Sequence, residues 1–218
     1  MGAWPEGVGR RVLTRTDSTM AEVTRRATEG APGPEWTLAL MQTAGRGRRG
    51  RAWAMPEGNF AASLLLRPGG GPSEAALRSF VMSLALADAF DATGVPPADV
   101  ALKWPNDVLL KGGKIAGILL ESQSDAYGRV AHLVIGVGVN LAAAPARQEV
   151  EPDALEPVSL REAAGIDIGP EPFLDRLAAA FDVHERRFLA YGFGPIRTAW
   201  MARAARPRAR PARNGRWR

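Results

Sequence analysis

The stretch VALKWPNDVLLKGGKIAGILLESQSDAYGRVAHLVIGVGVNL, residues 100–141, places four strand-like apolar runs in close succession. Its Lys-Gly-Gly link at 111–113 has the composition of a β-hairpin turn. Two more apolar runs of strand length precede it at 36–43 and 59–67, and a helical periodicity follows it at 171–191. Strands clustered in the middle of the chain, with helices mostly outside the cluster, predict an α+β fold rather than a regular βαβ repeat.

The remaining elements are predicted from local signals. Arg11–Thr16 has strand character, and Ser18 or Thr19 is suited to cap a helix that runs to about Glu29. The longest helix is expected at 73–93 with Ser73 as its cap, because apolar residues recur there at helical spacing. Shorter helices are expected at 159–165 and 195–204, and residues 44–58 and 142–158 are expected to be loops.

Composition narrows the possible functions. The chain has 218 residues, no cysteine and two histidines, His132 and His184, far apart in the sequence. This excludes disulfides, thiolate metal sites and a cysteine nucleophile, and it argues against a histidine-based metal centre. The chain lacks an apolar run of about 18 residues that could span a membrane, and its N-terminus does not resemble a secretory signal. We therefore expect a cytoplasmic protein without membrane partners.

The net charge of +5 is concentrated at the C-terminus. Residues 203–218 hold seven arginines and no acidic residue, so the rest of the chain has 21 basic against 23 acidic residues. Whole-chain charge is therefore a poor argument for nucleic-acid binding by the folded part. We predict one domain over residues 1–202 and a disordered basic tail over 203–218.

A glycine-rich loop carrying four arginines, Gly45–Arg51 (GRGRRGR), is the first candidate functional motif. Arginine forks match carboxylate and phosphate geometry, and glycines let backbone N–H groups approach an anion. A solvated basic loop or an RNA-binding segment is the alternative. Trp53 and Phe60 follow the loop and are expected to pack on a ligand, which favours a small-molecule pocket.

Three further motifs follow in the strand cluster. Lys103–Asp107 (KWPND) offers a cation, an amide and a carboxylate, although it is also good turn chemistry with Trp104 in the core. Lys114 precedes small residues that permit close approach of a ligand, although it could be an ordinary exposed lysine. Gly136–Asn140 (GVGVN) makes room for a flat group, although a β-bulge is the alternative. These motifs and the arginine loop together predict a pocket that holds anionic groups.

As a set, these motifs resemble one family. QTAGRGRRGRAW, KWPNDVLL, GKIAGILLE and GVGVN, in this order, are similar to the catalytic domain of biotin–protein ligases, and the resemblance covers about residues 10–200. Asp17-Ser18-Thr19 matches the short Ser/Thr motif before the first helix of those enzymes. The resemblance implies a central mixed β-sheet flanked by helices, as in class II synthetases.

The resemblance also implies a reaction and its participants. Biotin would be activated with ATP and Mg²⁺ to biotinyl-5′-AMP, and the biotinyl group would pass to a lysine of a biotin carboxyl carrier protein, usually of acetyl-CoA carboxylase. Specific DNA is not an expected partner, and a homodimer is left open. The implied catalytic residues are Arg48, Lys103, Asp107 and Lys114. The implied biotin contacts are Ser18, Thr19, Gln42, Arg46, Gly47, Arg48, Trp53, Lys114 and Gly117. The implied ATP or adenylate contacts are Arg46, Arg48, Lys103, Asn106, Lys114 and Asn140.

The chain departs from the family pattern in three respects. Met20 stands where a polar residue is usual. A DNA-binding domain is not expected before residue 10, and the C-terminal β-barrel of the family is not recognisable. The arginine-rich tail is expected to be a disordered extension or a frameshift product, and we favour the frameshift because a helix runs into it without a linker.

Three competing functions remain at this point. A lipoate or octanoyl transferase shares the fold, but the GRGRRGR loop and the low histidine count argue against it. A biotin or biotinyl-adenylate binding module with weak turnover is kept open by the unrecognised barrel. An RNA-binding protein is disfavoured by the slightly acidic body.

Overall fold

The computed structural model describes residues 3–150 and 154–205. Seven strands form one sheet in the order β1-β2-β3-β7-β6-β5-β4. β1 and β2 are parallel, and the other neighbouring strands are antiparallel. The strands are β1 (Gly9–Leu13), β2 (Glu35–Ala39), β3 (Phe60–Leu66), β4 (Val100–Lys103), β5 (Asp107–Leu110), β6 (Gly113–Ser124) and β7 (Val130–Val139). The predicted α+β class with a mixed sheet is confirmed.

Six helices cover the two faces of this sheet. The main core lies between one face and the pair α3 and α5, where Phe60, Phe90 and Phe173 pack edge to face or tilted. A smaller core forms where α1 packs Met20 and Val23 on the other face. The helices are α1 (Thr19–Thr28), α2 (Pro72–Ala76), α3 (Arg78–Asp91), α4 (Leu160–Ala164), α5 (Pro170–Tyr191) and α6 (Phe193–Ala202). None of these helices combines the length and the apolarity that a bilayer crossing requires.

Several predicted boundaries need correction. The helix expected at 73–93 is two helices, because hydrogen bonds of the tighter 3₁₀ type join Leu77 to Glu74 and Phe80 to Leu77. Its first helical residue is Pro72 rather than a residue after a Ser73 cap, as expected of proline at a helix start.

The β5–β6 hairpin is confirmed. Lys111 and Gly112 both have positive φ, which is the backbone of a two-residue hairpin turn.

Strand β4 lies at one edge of the sheet and is covered on its outer side by the chain after α6. The backbone N–H of Leu102 donates to the Arg203 carbonyl, and that of Ala205 donates to the Leu102 carbonyl. Arg203 also pairs with Asp91 of α3. Residues 203–205, at the start of the predicted tail, therefore pair with the edge of the sheet, and residues 206–218 lie outside the described residues.

Candidate active site

A cavity of about 890 Å³ opens on the face of the sheet that carries α1. Its size is typical of a site for a small ligand. The strand alternation places Ala61 of β3, Gly117 of β6 and Gly138 of β7 on this face, whereas their sequence neighbours enter the main core. The thirteen residues to which the family resemblance assigns a role all line this one cavity. They are Ser18, Thr19, Gln42, Arg46, Gly47, Arg48, Trp53, Lys103, Asn106, Asp107, Lys114, Gly117 and Asn140.

The floor of the cavity is flat because its strands carry glycine there. A Cβ built on Gly138 would lie 2.4 Å from Cε2 of Trp53, and one on Gly117 would lie 3.1 Å from Cζ3 of the same ring. The indole of Trp53 therefore lies directly on the backbone of two strands. A Cβ on Gly136 would likewise lie 2.4 Å from Sδ of Met20. The glycines therefore make space for the side chains of Trp53 and Met20 on the sheet.

The buried end of the cavity is lined by hydroxyl and amide groups. The backbone N–H of Thr19 donates to Oε1 of Gln42 at 2.7 Å, and Oγ of Ser63 donates to Oγ1 of Thr19 at 2.8 Å. Because these bonds occupy Oε1 of Gln42 and one side of the Thr19 oxygen, the Gln42 amide N–H groups and the Thr19 hydroxyl proton remain to donate to a ligand. This end is suited to the carbonyl oxygen of an uncharged polar group.

Ser63 was not singled out from the sequence. It is fully buried in β3, within a run that is otherwise apolar. Ala61 and Ser63 are the small members of the alternating set on the face of β3 that carries α1, where Ala61 lines the cavity and Ser63 bonds Thr19 behind it. This spacing is the signal that could have found them.

The arginine loop folds as a small hairpin above the floor. The backbone N–H of Trp53 donates to the Gly45 carbonyl, and that of Gly47 donates to the Arg51 carbonyl at 2.7 Å. Arg49 and Gly50 form the turn with positive φ. A Cβ on Gly45 would lie 2.8 Å from the Trp53 carbonyl oxygen, so only glycine fits where the two strands of the loop meet.

The start of the arginine loop is anchored to the residue before α1. The Asp17 carbonyl accepts from the Ala44 N–H, and the Asp17 carboxylate accepts from Arg25 at 3.0 Å and from the backbone N–H of Ser18 at 2.7 Å. These donors, the Arg25 guanidinium above all, hold the pKa of Asp17 well below its usual range. Ser18 is the N-cap of α1 as predicted, although its side chain makes no capping bond.

A carboxylate between two lysines marks the opposite side of the cavity. Oδ1 of Asp107 lies 2.7 Å from Nζ of Lys114, and Oδ2 lies 3.8 Å from Nζ of Lys103. Nζ of Lys114 is also 5.7 Å from the ring centre of Trp53, within cation–π range. Two cations share one anion here, so the cluster keeps a net positive charge that can attract a carboxylate or a phosphate.

The two asparagines hold backbone segments as well as lining the cavity. Nδ2 of Asn106 donates to the Ile118 carbonyl, while its Oδ1 accepts from Arg48 at 3.2 Å. Asn140 is almost fully buried, and its Nδ2 donates to the Val158 carbonyl at 3.1 Å. Each asparagine thus positions a neighbouring strand or segment and still presents an edge to the cavity.

Two aromatic residues lie elsewhere than the sequence suggested. Phe60, expected to pack on a ligand, is fully buried in the main core against Phe173, because its side chain points to the other face of the sheet. Trp104, placed in the core by the turn interpretation, is 68% exposed. The alternation of side chains along β4 buries Leu102. The strand ends at Lys103, so it does not carry the indole of Trp104 into either core.

Comparison with known proteins agrees with this geometry. Residues 12–140 match the model of the biotin/lipoate A/B protein ligase family. The chain is 55% identical over 195 residues to a biotin–[acetyl-CoA-carboxylase] ligase of Paracoccus denitrificans, covering 89% of this chain and 80% of that one. It is 33% identical to the bifunctional ligase/repressor BirA of Bacillus subtilis, covering 87% of this chain but 56% of that longer protein.

A solved structure shares the fold. The biotin protein ligase of Aquifex aeolicus, in complex with biotin and ATP, superposes with a TM-score of 0.73 at 25% identity, over 90% of this chain and 78% of that one. The family match spans more than half of the chain, and the Paracoccus relative matches over most of it. This chain therefore belongs to the biotin/lipoate A/B protein ligase family.

Proposed function

We propose that this chain is an ATP-dependent biotin–protein ligase. It activates biotin to biotinyl-5′-AMP with release of pyrophosphate, and it transfers the biotinyl group to a lysine of a biotin carboxyl carrier protein. One observation carries the proposal beyond the likeness to the Paracoccus ligase. A single cavity has uncharged hydrogen-bond donors at its buried end and a net positive cluster at the other, with a flat glycine floor between them.

The buried end is assigned to the ureido ring of biotin. The Gln42 amide and the Thr19 hydroxyl donate to the ureido oxygen, and Ser18 lies beside them. Trp53, whose indole lies on the backbone of Gly117, forms the wall beside the ring and the acyl chain. Burying the ring against Trp53 and Met20 supplies apolar contact, and the donors supply orientation.

The positive side of the cavity is assigned to the adenylation step. A biotin carboxylate oxygen attacks the α-phosphorus, a new P–O bond forms, and the bond to pyrophosphate breaks. Two anions must approach each other, so Arg46, Arg48, Lys103 and Lys114 offset their repulsion and stabilise charge that grows on the phosphoryl oxygens. Lys114 is held towards this point by Asp107.

The second step is assigned to the same side of the cavity. The neutral amine of the acceptor lysine attacks the carbonyl carbon of the mixed anhydride, an amide bond forms, and AMP leaves. Asp107 is our candidate for positioning this amine, because its carboxylate lies among the cations at the cavity wall. Asn106 and Asn140 are assigned to the nucleotide and Gly47 to biotin, and all three line the cavity.

Mg²⁺ is expected to accompany ATP. In the described part, His, Cys, Asp and Glu side chains do not cluster in threes as metal ligands. The carboxylate in the cavity wall, Asp107, is already paired with Lys114. The absence of specific DNA binding and the cytoplasmic location stay predictions, and the question of a homodimer stays open.

A biotin-dependent ATP–pyrophosphate exchange assay tests the first step, and transfer of labelled biotin to an apo carrier domain tests the second. We expect both activities, with lipoate and octanoate inactive in the exchange assay. Exchange without transfer would support only half of the reaction. Tight biotin binding without exchange would favour the binding module, and exchange with lipoate would favour the related transferase.

A further inference from the structure

Trp104 is an exposed aromatic residue at the edge of the cavity. It is 68% exposed, and it lies between Lys103 and Pro105, which both line the cavity. The cavity lining omits Trp104 itself. Large exposed aromatic side chains are enriched where proteins bind one another. The proposed reaction at the cavity makes no use of this side chain.

The loop that carries Trp104 is held firmly from both sides. Oγ of Ser79 on α3 donates to the Pro105 carbonyl at 3.2 Å. Asn106 and Ile118 of β6 exchange two hydrogen bonds, one through the Asn106 side chain at 2.8 Å and one through its carbonyl at 3.0 Å. The indole is therefore presented from a fixed support, which lowers the entropy lost when a partner covers it.

Exposed cations lie on the arginine loop, which contacts the loop of Trp104 through Arg48. Arg46, Arg48 and Arg49 are exposed, and none of these three pairs with a carboxylate in the part of the chain that the structure describes. We call these three residues the cationic rim. Arg48 connects the rim to the Trp104 loop through its hydrogen bond to Asn106. A partner surface that complements this region combines an apolar contact with carboxylates.

The proposed reaction requires a protein to dock at this place. An acceptor lysine reaches the mixed anhydride through a four-carbon stem, so the backbone that carries it must come to the cavity mouth. We propose that Trp104 and the cationic rim form the docking surface for the carrier domain, with Trp104 as its apolar anchor. This inference rests on the proposed ligase function and names the surface that selects its protein substrate.

The test uses three variants of the whole chain. Trp104→Ala removes the anchor, Trp104→Phe retains an aromatic ring, and Tyr127→Ala is the control. Tyr127 is 89% exposed in the β6–β7 turn and, like Trp104, does not line the cavity. For each variant, the KM for an apo biotin-accepting domain of an acetyl-CoA carboxylase is measured beside the rate of biotin-dependent ATP–pyrophosphate exchange.

We expect Trp104→Ala to raise the KM for the carrier at least about tenfold, as for an aromatic anchor of an interface, with exchange unchanged. Trp104→Phe should recover most of this loss, and Tyr127→Ala should behave as the wild type. An unchanged carrier KM in Trp104→Ala would overturn the inference. A parallel loss of exchange would also overturn it, because Trp104 would then act on biotin or ATP. If the wild type itself shows no exchange, it is the ligase function that fails.

Discussion

The contact between Gly138 and Trp53 gives a quantitative test of the cavity floor. In Gly138→Ala, the new Cβ would lie 2.4 Å from Cε2 and 2.5 Å from Nε1 of Trp53. Ordinary contacts between such atoms are about 3.5–4.0 Å, so the ring must move by about 1 Å or more. The backbone of Gly138 does not need positive φ, and the substitution therefore acts through this contact rather than through backbone strain.

The displaced ring borders an open cavity, so we expect the site to change more than the fold. Misplacement by about 1 Å at an enzyme site can cost about 100-fold in rate. We therefore expect the kcat/KM for biotin in pyrophosphate exchange to fall about 100-fold. The melting temperature should fall by no more than about 4 °C, which corresponds to about 1 kcal/mol for a chain of this size.

Gly117→Ala is the matched control for the floor. Its new Cβ would lie 3.1 Å from Cζ3 of Trp53, so the ring needs to yield by only a few tenths of an ångström. The kcat/KM for biotin should therefore fall less than about tenfold, since a small overlap with a side chain that can move is tolerated.

A double variant isolates the role of Trp53 in this effect. If Gly138→Ala acts by displacing the indole, the double variant with Trp53→Ala should be as active as Trp53→Ala alone. The reason is that the new Cβ then has no indole to collide with. Two results would refute the reasoning that the Trp53 indole rests on Gly138. They are equal activity of Gly138→Ala and wild type, or fully additive losses of activity in the double variant.

Two further predictions concern the buried end of the cavity and the anchor of the arginine loop. Ser63→Ala removes the donor to Thr19 and should raise the KM for biotin by up to about tenfold, the worth of one hydrogen bond, with kcat little changed. Ser83→Ala, which removes a buried hydroxyl outside the cavity, should leave this KM unchanged, and equal effects in both variants would contradict the assignment. The pKa of Asp17 is lowered in the folded state, so its contribution to stability is present above the unfolded carboxyl pKa of about 3.9 and is lost as the pH falls below it. Urea unfolding from pH 7 to pH 3 should therefore show a smaller loss of stability for Asp17→Asn than for wild type, and parallel profiles would contradict this.

Local patterns predicted most of the elements, because they depend on neighbours in the chain. The hairpin at Lys111 and Gly112 follows from the backbone freedom that a two-residue turn requires. The helix after Ser18 follows from helical spacing and from the preference for serine at the N-cap, although Ser18 makes no capping bond. The split between α2 and α3 at Leu77 did not follow, because one tightened turn leaves the apolar periodicity unchanged.

The candidate site was predicted from residue types, and the tertiary structure decided its geometry. Charge and glycine content are enough to indicate Arg48 and Lys114 as candidates. Residue types alone predicted the wrong surroundings for Phe60 and Trp104, and they gave no indication of Ser63. All three errors concern the direction of a side chain, which depends on which face of a strand meets the core.

The sequence by itself determined that this chain forms an α+β domain with an anion-binding pocket, because periodicity, turn residues and charge are local properties. Only the tertiary structure decided that β3 lies beside β7, so that Ala61 and Gly138 meet on one floor although they are far apart in the chain. It also decided that Trp53 rests on that floor and that Trp104 faces solvent. The physical reason is that the order of the strands and the direction of their side chains depend on which apolar surfaces pack together and exclude water. These surfaces are distant in the sequence, and no single segment contains that information.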